Sequence, residues 1–383
     1  LRIIAAPDKF RGSLTAAAAA RAMAEGARRA EPSAEVVEVP MADGGEGTVE
    51  ALVAATGGEF RSAVVSGPLG DQVEARFGIL GDHTTAALEM ASASGLALLP
   101  RDLRDPRIAS TRGTGELVLA AIEAGASRIL LGIGGSATND GGAGFAQALG
   151  YRLLDADGKD LPPGGGALDR LDRIESQEVD PRLMRISIQV ACDVDNPLCG
   201  PRGASAIFGP QKGADPAMVA RLDRNLAHFA KIVTRDLGRD LAEEAGAGAA
   251  GGLGLGTIAF ADATLEPGVT LVARAVGLEA MIRGADLVLT GEGAIDISSA
   301  SGKTAVGVGR IAQAYGVPVI GLAGAIGPGA ESVLGDGIDA YLSLCNRPMT
   351  LDTALAGASG LLASAAEQAV RIFLLGRGSR SSP

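Results

Sequence analysis

Short apolar runs punctuate the chain, and most end in glycine or an acid. Ile3–Ala6, Val36–Val39, Ile129–Ile133, Ile186–Ala191, Asp286–Thr290, Pro318–Leu322 and Ala340–Leu344 each read as a strand, Ile129–Ile133 as a buried one. Between them the spacing changes to three and four. Thr15–Ala30, capped by Ser13 or Thr15, reads as a helix, as do a short stretch carrying Val49, Leu52 and Val53 and stopped by Gly57-Gly58, Thr114–Ala124, the segment after Lys303–Thr304 and residues 351–375. Residues 215–237 carry Met218, Leu222, Leu226, Phe229 and Val233 on one helical face. Strand and helix in alternation predict an α/β protein built on a parallel sheet.

The alternation fails between about residues 60 and 115. There Phe60–Val65, Val73–Leu80 and Thr84–Met90 are joined by turns such as Gly67-Pro68-Leu69-Gly70, which predicts an antiparallel meander. The expected organisation is therefore a Rossmann-like parallel-sheet domain from 1–59 and 285–383, interrupted by a mixed α/β domain at 60–284. Asp155–Asp180 reads as a polar connection. Gly246–Gly256, nearly all Gly and Ala, is either a flexible hinge or a place where backbone packs against a ligand.

Candidate chemistry gathers where the strands end. Arg128–Leu149 is strand, glycine-rich turn and helix, an arrangement that aims backbone N–H groups at an anion, and its turn carries Ser136, Thr138, Asn139 and Asp140. Other ends supply Asp8, Lys9, Arg11 and Ser13; Asp43 and Glu46; Asp193, Asp195 and Asn196; and Glu292, Asp296 and Lys303. Carboxylates for a hard cation, N–H groups and a lysine for phosphate, and a base for a hydroxyl are the inventory of phosphoryl transfer. Asp193 and Asp195 would share a face if their strand continued, where their repulsion calls for a metal. Ser301-Gly302-Lys303-Thr304 lacks the glycine at 297 (it is Ile297) that a P-loop requires, and no turn has GxGxxG spacing, which disfavours a nicotinamide dehydrogenase.

Composition narrows the partners. A formal charge of −11 argues against nucleic acid. Cys192, Cys199 and Cys345 form no CxxC, and His83 and His228 stand far apart, so zinc is not expected and a reduced, cytoplasmic setting is. No apolar run suggests a membrane span or a signal peptide. A non-catalytic two-domain protein closing on a small anion is the alternative class; the acid-rich strand ends count against it.

Pro7–Leu14, Met41–Thr48, Gly134–Gly144, Ala191–Pro201, Phe208–Gly213 and Thr290–Gly293 together resemble the bacterial glycerate kinases that form 2-phosphoglycerate, the type-1 family, in collinear order over about residues 2–375. The resemblance implies ATP and Mg²⁺, D-glycerate as acceptor, and two domains with the active site in the cleft between them. Where that family usually has Arg and His, this chain has Ala294 and Ser301. The resulting assignment places Asp193, Asp195 and Lys303 in catalysis. Asp8, Lys9, Arg11, Ser13, Asp43 and Asn196 meet the substrate, with Lys9 and Arg11 on its carboxylate. Gly134, Gly135, Ser136, Asn139, Gly291 and Glu292 meet the nucleotide, and Asp43, Asp140, Asp193 and Glu292 the metal. A kinase for another small hydroxy acid stays open.

Overall fold

The structure, a computed structural model, describes residues 1–299 and 303–378. In chain order the strands are β1 (Arg2–Ala5), β2 (Glu35–Glu38), β3 (Glu59–Ser66), β4 (Gln72–Ile79), β5 (Thr85–Glu89), β6 (Arg128–Gly132) and β7 (Arg152–Leu154). They continue with β8 (Arg173–Glu175), β9 (Ser187–Ala191), β10 (Thr264–Glu266), β11 (Leu287–Ile295), β12 (Val319–Ile326) and β13 (Ala340–Ser343). Two compact units result. The first comprises Leu1–Asp43, Glu50–Gly57 and Val269–Pro383; the second comprises Gly44–Val49 and Gly58–Gly268.

The first unit holds a five-stranded, wholly parallel sheet in the order β13-β12-β11-β1-β2. The order reverses between β1 and β11, and in such sheets ligands bind beyond the carboxyl ends of the strands at that point. Ile3, Ala5, Leu287, Leu289 and Leu322 form its core with the helices Ala16–Ala30 and Ala358–Gly378. Those helices cross closely because small residues line the contact: a Cβ on Gly26 would lie 2.0 Å from the Ala363 carbonyl oxygen. Thr15 caps the first helix, its Oγ1 accepting from the Ala18 N–H at 3.2 Å.

The second unit is built on a six-stranded sheet, β10-β9-β6-β5-β4-β3. The meander is present, β3 and β4 pairing antiparallel and β4 with β5 likewise, but β5 then runs parallel to β6 and joins the meander to the parallel half. Phe145, Phe229 and Phe260 anchor the core.

Three expected elements differ. Asp155–Asp180 is not only a connection: β8 within it pairs with β7, and Gly165–Arg170 forms a 3₁₀ turn. The closing helix is two, Leu351–Ala356 and Ala358–Gly378, broken at Gly357. β11 runs on past Thr290 to Ile295 because β12 pairs along it, placing Glu292 opposite Ala323 within the ladder. The helix Ala358–Arg377 is also long and apolar enough to cross a membrane by length and composition. Its Leu362, Ala366, Ala369 and Val370 lie in the core of the first unit.

Candidate active site

In the first unit, β1 and β11 bring two acids to the same end of the sheet. The Asp8 N–H donates to the Gly291 carbonyl at 2.9 Å, and Thr290 Oγ1 donates to the Ala6 carbonyl at 2.8 Å. The Asp8 carboxylate is held at both oxygens: Oδ1 accepts from the Lys9 N–H at 2.6 Å and Oδ2 from Thr304 Oγ1 at 2.5 Å. Burial raises its pKa to about 6, the Thr304 hydroxyl opposing and the charge of Asp43 adding. Glu292 is raised to about 7, chiefly by burial and further by Asp8 and Asp43, against Lys303 and the Ser299 hydroxyl. Its Oε1 is buried without a hydrogen-bond partner.

The neighbours of this pair divide by accessibility. Lys303 stands at the N-cap of the helix Thr304–Gln313 and donates to Ser298 Oγ at 2.7 Å. Arg11 is exposed and Lys9 half-buried. The Ser13 hydroxyl is spent on the Phe10 carbonyl at 3.0 Å, so it shapes the turn. Gly291 has a structural reason to be glycine, since a Cβ there would lie 2.0 Å from the Leu322 carbonyl oxygen. Ala294 lies in β11; Ser301 lies outside the described residues.

In the second unit, register puts Glu89, Gly132, Ala191 and Glu266 in one row across β5, β6, β9 and β10. The glycine-rich segment Gly44–Gly47 lies against this row. A Cβ on Gly132 would sit 2.3 Å from the Gly44 carbonyl oxygen, and one on Gly44 2.3 Å from the Ala191 Cβ. Glu89, not singled out from sequence, accepts the Val49 N–H at 3.0 Å. Asp193 lies just past β9, exposed, its Oδ1 accepting from the Gly268 N–H at 2.9 Å. β9 does not continue to Asp195. That side chain is 78% exposed and paired with Arg202 at 3.0 Å, so the shared face expected for Asp193 and Asp195 is not formed. Asn196 Nδ2 donates to the Arg202 carbonyl at 2.7 Å, tying down the same turn.

The glycine-rich turn after β6 differs most from expectation. The helix it leads into, Ala143–Ala148, is short, and the chain itself supplies the anion at its start. Asp140 accepts from Thr111 N at 2.9 Å, from Thr111 Oγ1, and from the N–H groups of Gly142 and Gly144, both at 3.2 Å. Gly141 N–H donates to the Gly251 carbonyl and Ala137 N–H to the Ser94 carbonyl, both at 3.0 Å. The N–H groups from 141 to 145 are therefore taken, and Asp140 is fully buried with its oxygens occupied, which argues against its expected role as a metal ligand. Gly134 and Gly135 are exposed and Ser136 lies just beneath them. Asn139 is fully buried; its Nδ2 donates to Ser205 Oγ at 2.9 Å and its Oδ1 has no partner.

One further residue comes from a motif quoted above but given no role. Lys212 is 1% exposed, and its Nζ donates to the Thr138 carbonyl at 2.6 Å. Burial lowers its pKa to about 7, against the opposing charge of Asp140. The Gly/Ala run is not a hinge here: Ala250, Gly251 and Gly252 take left-handed backbone, and a Cβ on Gly251 would lie 2.0 Å from the Thr138 carbonyl oxygen.

Among the described residues no three acidic, histidine or cysteine side chains converge as a ready-made metal cage. Of the expected ligands, Asp43 and Glu292 fall in the first unit beside Asp8, and Asp140 and Asp193 in the second. Mg²⁺ does not require a cage, because it keeps several waters and takes one or two carboxylates plus phosphate oxygens. Glu292, with one buried oxygen unpartnered, and Asp43 beside it are two carboxylates of the kind such an ion takes.

Comparison with known proteins shows the family. The sequence model of the Glycerate kinase family matches residues 3–374. A glycerate kinase of Halalkalibacterium halodurans is 52% identical over 95% of this chain and 96% of its own. A glycerate 2-kinase of Escherichia coli K12 is 51% identical over 94% of each chain. The crystal structure of a protein assigned as glycerate kinase 2 from Salmonella typhimurium LT2 superposes with a TM-score of 0.89 at 47% identity, covering 98% of this chain and 99% of that one.

Proposed function

The chain belongs to the glycerate kinase family, and from that premise we propose that it transfers the terminal phosphoryl group of ATP, with Mg²⁺, to D-glycerate, forming 2-phosphoglycerate. The observation that carries the reading is the pairing of β1 with β11, which brings Asp8 and Glu292 together at the reversal point of the parallel sheet, where burial raises the pKa of both.

Asp43 and Glu292 would hold the metal ion, which when bound neutralises phosphate charge. Asp8 is the proton acceptor for the glycerate hydroxyl. Its two hydrogen bonds fix its orientation, and burial makes it more basic than a solvated aspartate while leaving it mostly ionised at neutral pH. Lys303 meets the phosphates, and Lys9 and Arg11 the glycerate carboxylate, as paired donors. In the second unit the tip Gly134-Gly135-Ser136 offers N–H and hydroxyl groups to phosphate, while Asn139 and Asp140 support it from below. A reducing, cytoplasmic setting belongs to the same proposal, the three cysteines being free thiols.

The test is to incubate the protein with ATP, Mg²⁺ and D-glycerate, follow ADP, and identify the product by ³¹P NMR. ADP with D-glycerate and a 2-phospho product is the expected result. ADP formed only with a different hydroxy acid would move the substrate, and none with any would defeat the reading.

A further inference from the structure

Among the described residues, Asp140 and Lys212 are the charged side chains that lie fully buried, and both are committed to one loop. Asp140 gathers the N–H groups on the far side of the turn after β6. Lys212 reaches the near side from a different segment, the 3₁₀ turn Pro210–Lys212, and ends on the Thr138 carbonyl. Burying an ammonium is costly unless its surroundings compensate, so its place there is a constraint and not a solvated convenience.

The peptide it grips has little freedom left. The left-handed turn at Gly251 lies directly against the Thr138 carbonyl, leaving no room for a Cβ. The next carbonyl, that of Asn139, is packed as tightly by Gly165, where a Cβ would lie 2.1 Å away. Ser205 holds the Asn139 amide. Thr138 and Asn139 are thus fixed from several segments, while Gly134 and Gly135, a few residues upstream, face solvent.

We propose that Lys212 is a positioning residue for the Gly134–Ser136 tip: its ammonium clamps the Thr138 carbonyl and so sets the geometry with which the tip meets phosphate, without itself touching substrate. This rests on the reading of the tip as a phosphate contact. Lysine suits the task because its stem fills apolar space while its head supplies a charge-assisted donor at a buried carbonyl and offsets the buried Asp140.

Steady-state kinetics of K212M, K212R, K212Q and S136A, each checked for folding by thermal melting, test the idea. Folded K212M is expected to raise the KM for ATP tenfold or more while the KM for D-glycerate stays within twofold. K212R, which can still donate to the Thr138 carbonyl, should recover at least a third of the lost affinity. A folded K212M whose ATP KM changes less than threefold overturns the proposal. If K212M does not fold, K212Q decides: its shorter, neutral amide cannot reach the Thr138 carbonyl, so a threefold or greater rise in ATP KM supports the clamp and a smaller one overturns it. S136A separates the two levels: it deletes the hydroxyl that the tip offers and keeps its N–H groups, so an ATP KM unmoved by both S136A and K212M removes the tip from phosphate binding and takes the clamp's purpose with it. A raised ATP KM in S136A beside an unmoved one in K212M defeats the clamp alone.

Discussion

Thr304 donates its hydroxyl proton to Asp8 Oδ2 at 2.5 Å, joining residues 296 positions apart in the chain. The bond depends on β1 and β11 lying side by side, so the first and last parts of the first unit must pair before it can form. It also tunes the acid, pulling the Asp8 pKa down against burial. T304V keeps the shape and deletes the donor. A hydrogen bond to a charged group is worth about 1.5–3 kcal/mol, so the Asp8 pKa should rise by roughly one to two units. Because Asp8 must be ionised to accept a proton, the acidic limb of the kcat/KM profile should move to higher pH by that amount, with T304S near wild type. An unmoved limb would remove Asp8 from the role of base.

Glu292 offers a stability test of the same cluster. A carboxyl whose folded pKa lies above its unfolded value binds its proton more tightly when folded. Folding is then favoured at low pH, and the advantage fades as pH climbs from the unfolded value of 4.5 through the folded value of about 7. At pH 8 the buried carboxylate should destabilise the fold by on the order of 3 kcal/mol relative to pH 4. E292Q removes the charge. Its urea midpoint should exceed that of wild type at pH 8 and match it at pH 4, where the wild-type carboxyl is protonated in both the folded and the unfolded state. Mg²⁺ should raise the wild-type melting temperature at pH 8 and have a smaller effect on E292Q. Equal midpoints at pH 8 would mean the carboxylate is better compensated than its surroundings indicate.

Local patterning made much of this legible. Thr15 as a cap, the meander from residue 59 to 89, the amphipathic helix Pro216–Leu237 and the acids at strand ends all follow from spacing and residue type. What spacing cannot show is where a side chain spends its hydrogen bonds. Asp140 reads as a metal ligand in sequence because it follows a glycine-rich turn, yet its partners come from Thr111, in another element. Lys212 looks like a surface lysine between Gln211 and Gly213, and only the packing of distant segments buries it. Likewise the tight approach of the Gly/Ala run depends on a contact between residues 138 and 251 that no local pattern encodes.

That contact can be weighed against a matched control. Gly238 and Gly251 both take left-handed backbone, with φ of 70° and 72°. A Cβ on Gly238 meets nothing within 4 Å, whereas one on Gly251 falls 2.0 Å from the Thr138 carbonyl oxygen. G238A should therefore cost only the conformational penalty, about 1 kcal/mol. G251A adds a clash with backbone that cannot rotate away, for a total above about 3 kcal/mol. Urea unfolding of the two variants reads the difference directly. Similar costs would show that the loop yields more easily than its contacts imply.

Asp193 and Asp195 are equivalent in sequence, two acids one residue apart after the same strand, and the fold separates them. Asp195 and Arg202 are both largely exposed, at 78% and 67%, and a solvated pair of this kind contributes little. D195A should change stability by less than about 0.5 kcal/mol and leave kcat within about twofold, since nothing buried depends on the side chain. Asp193 instead lies immediately beyond the row of strand ends in the second unit and holds the Gly268 N–H. D193A gives up a charge-assisted bond, which should cost about 1 kcal/mol once its exposure is allowed for. It should also lower kcat by about tenfold or more. Thermal melts and initial rates of the two variants rank the pair. A D195A variant that lost tenfold in kcat with its fold intact would reverse the ranking and return Asp195 to the chemistry.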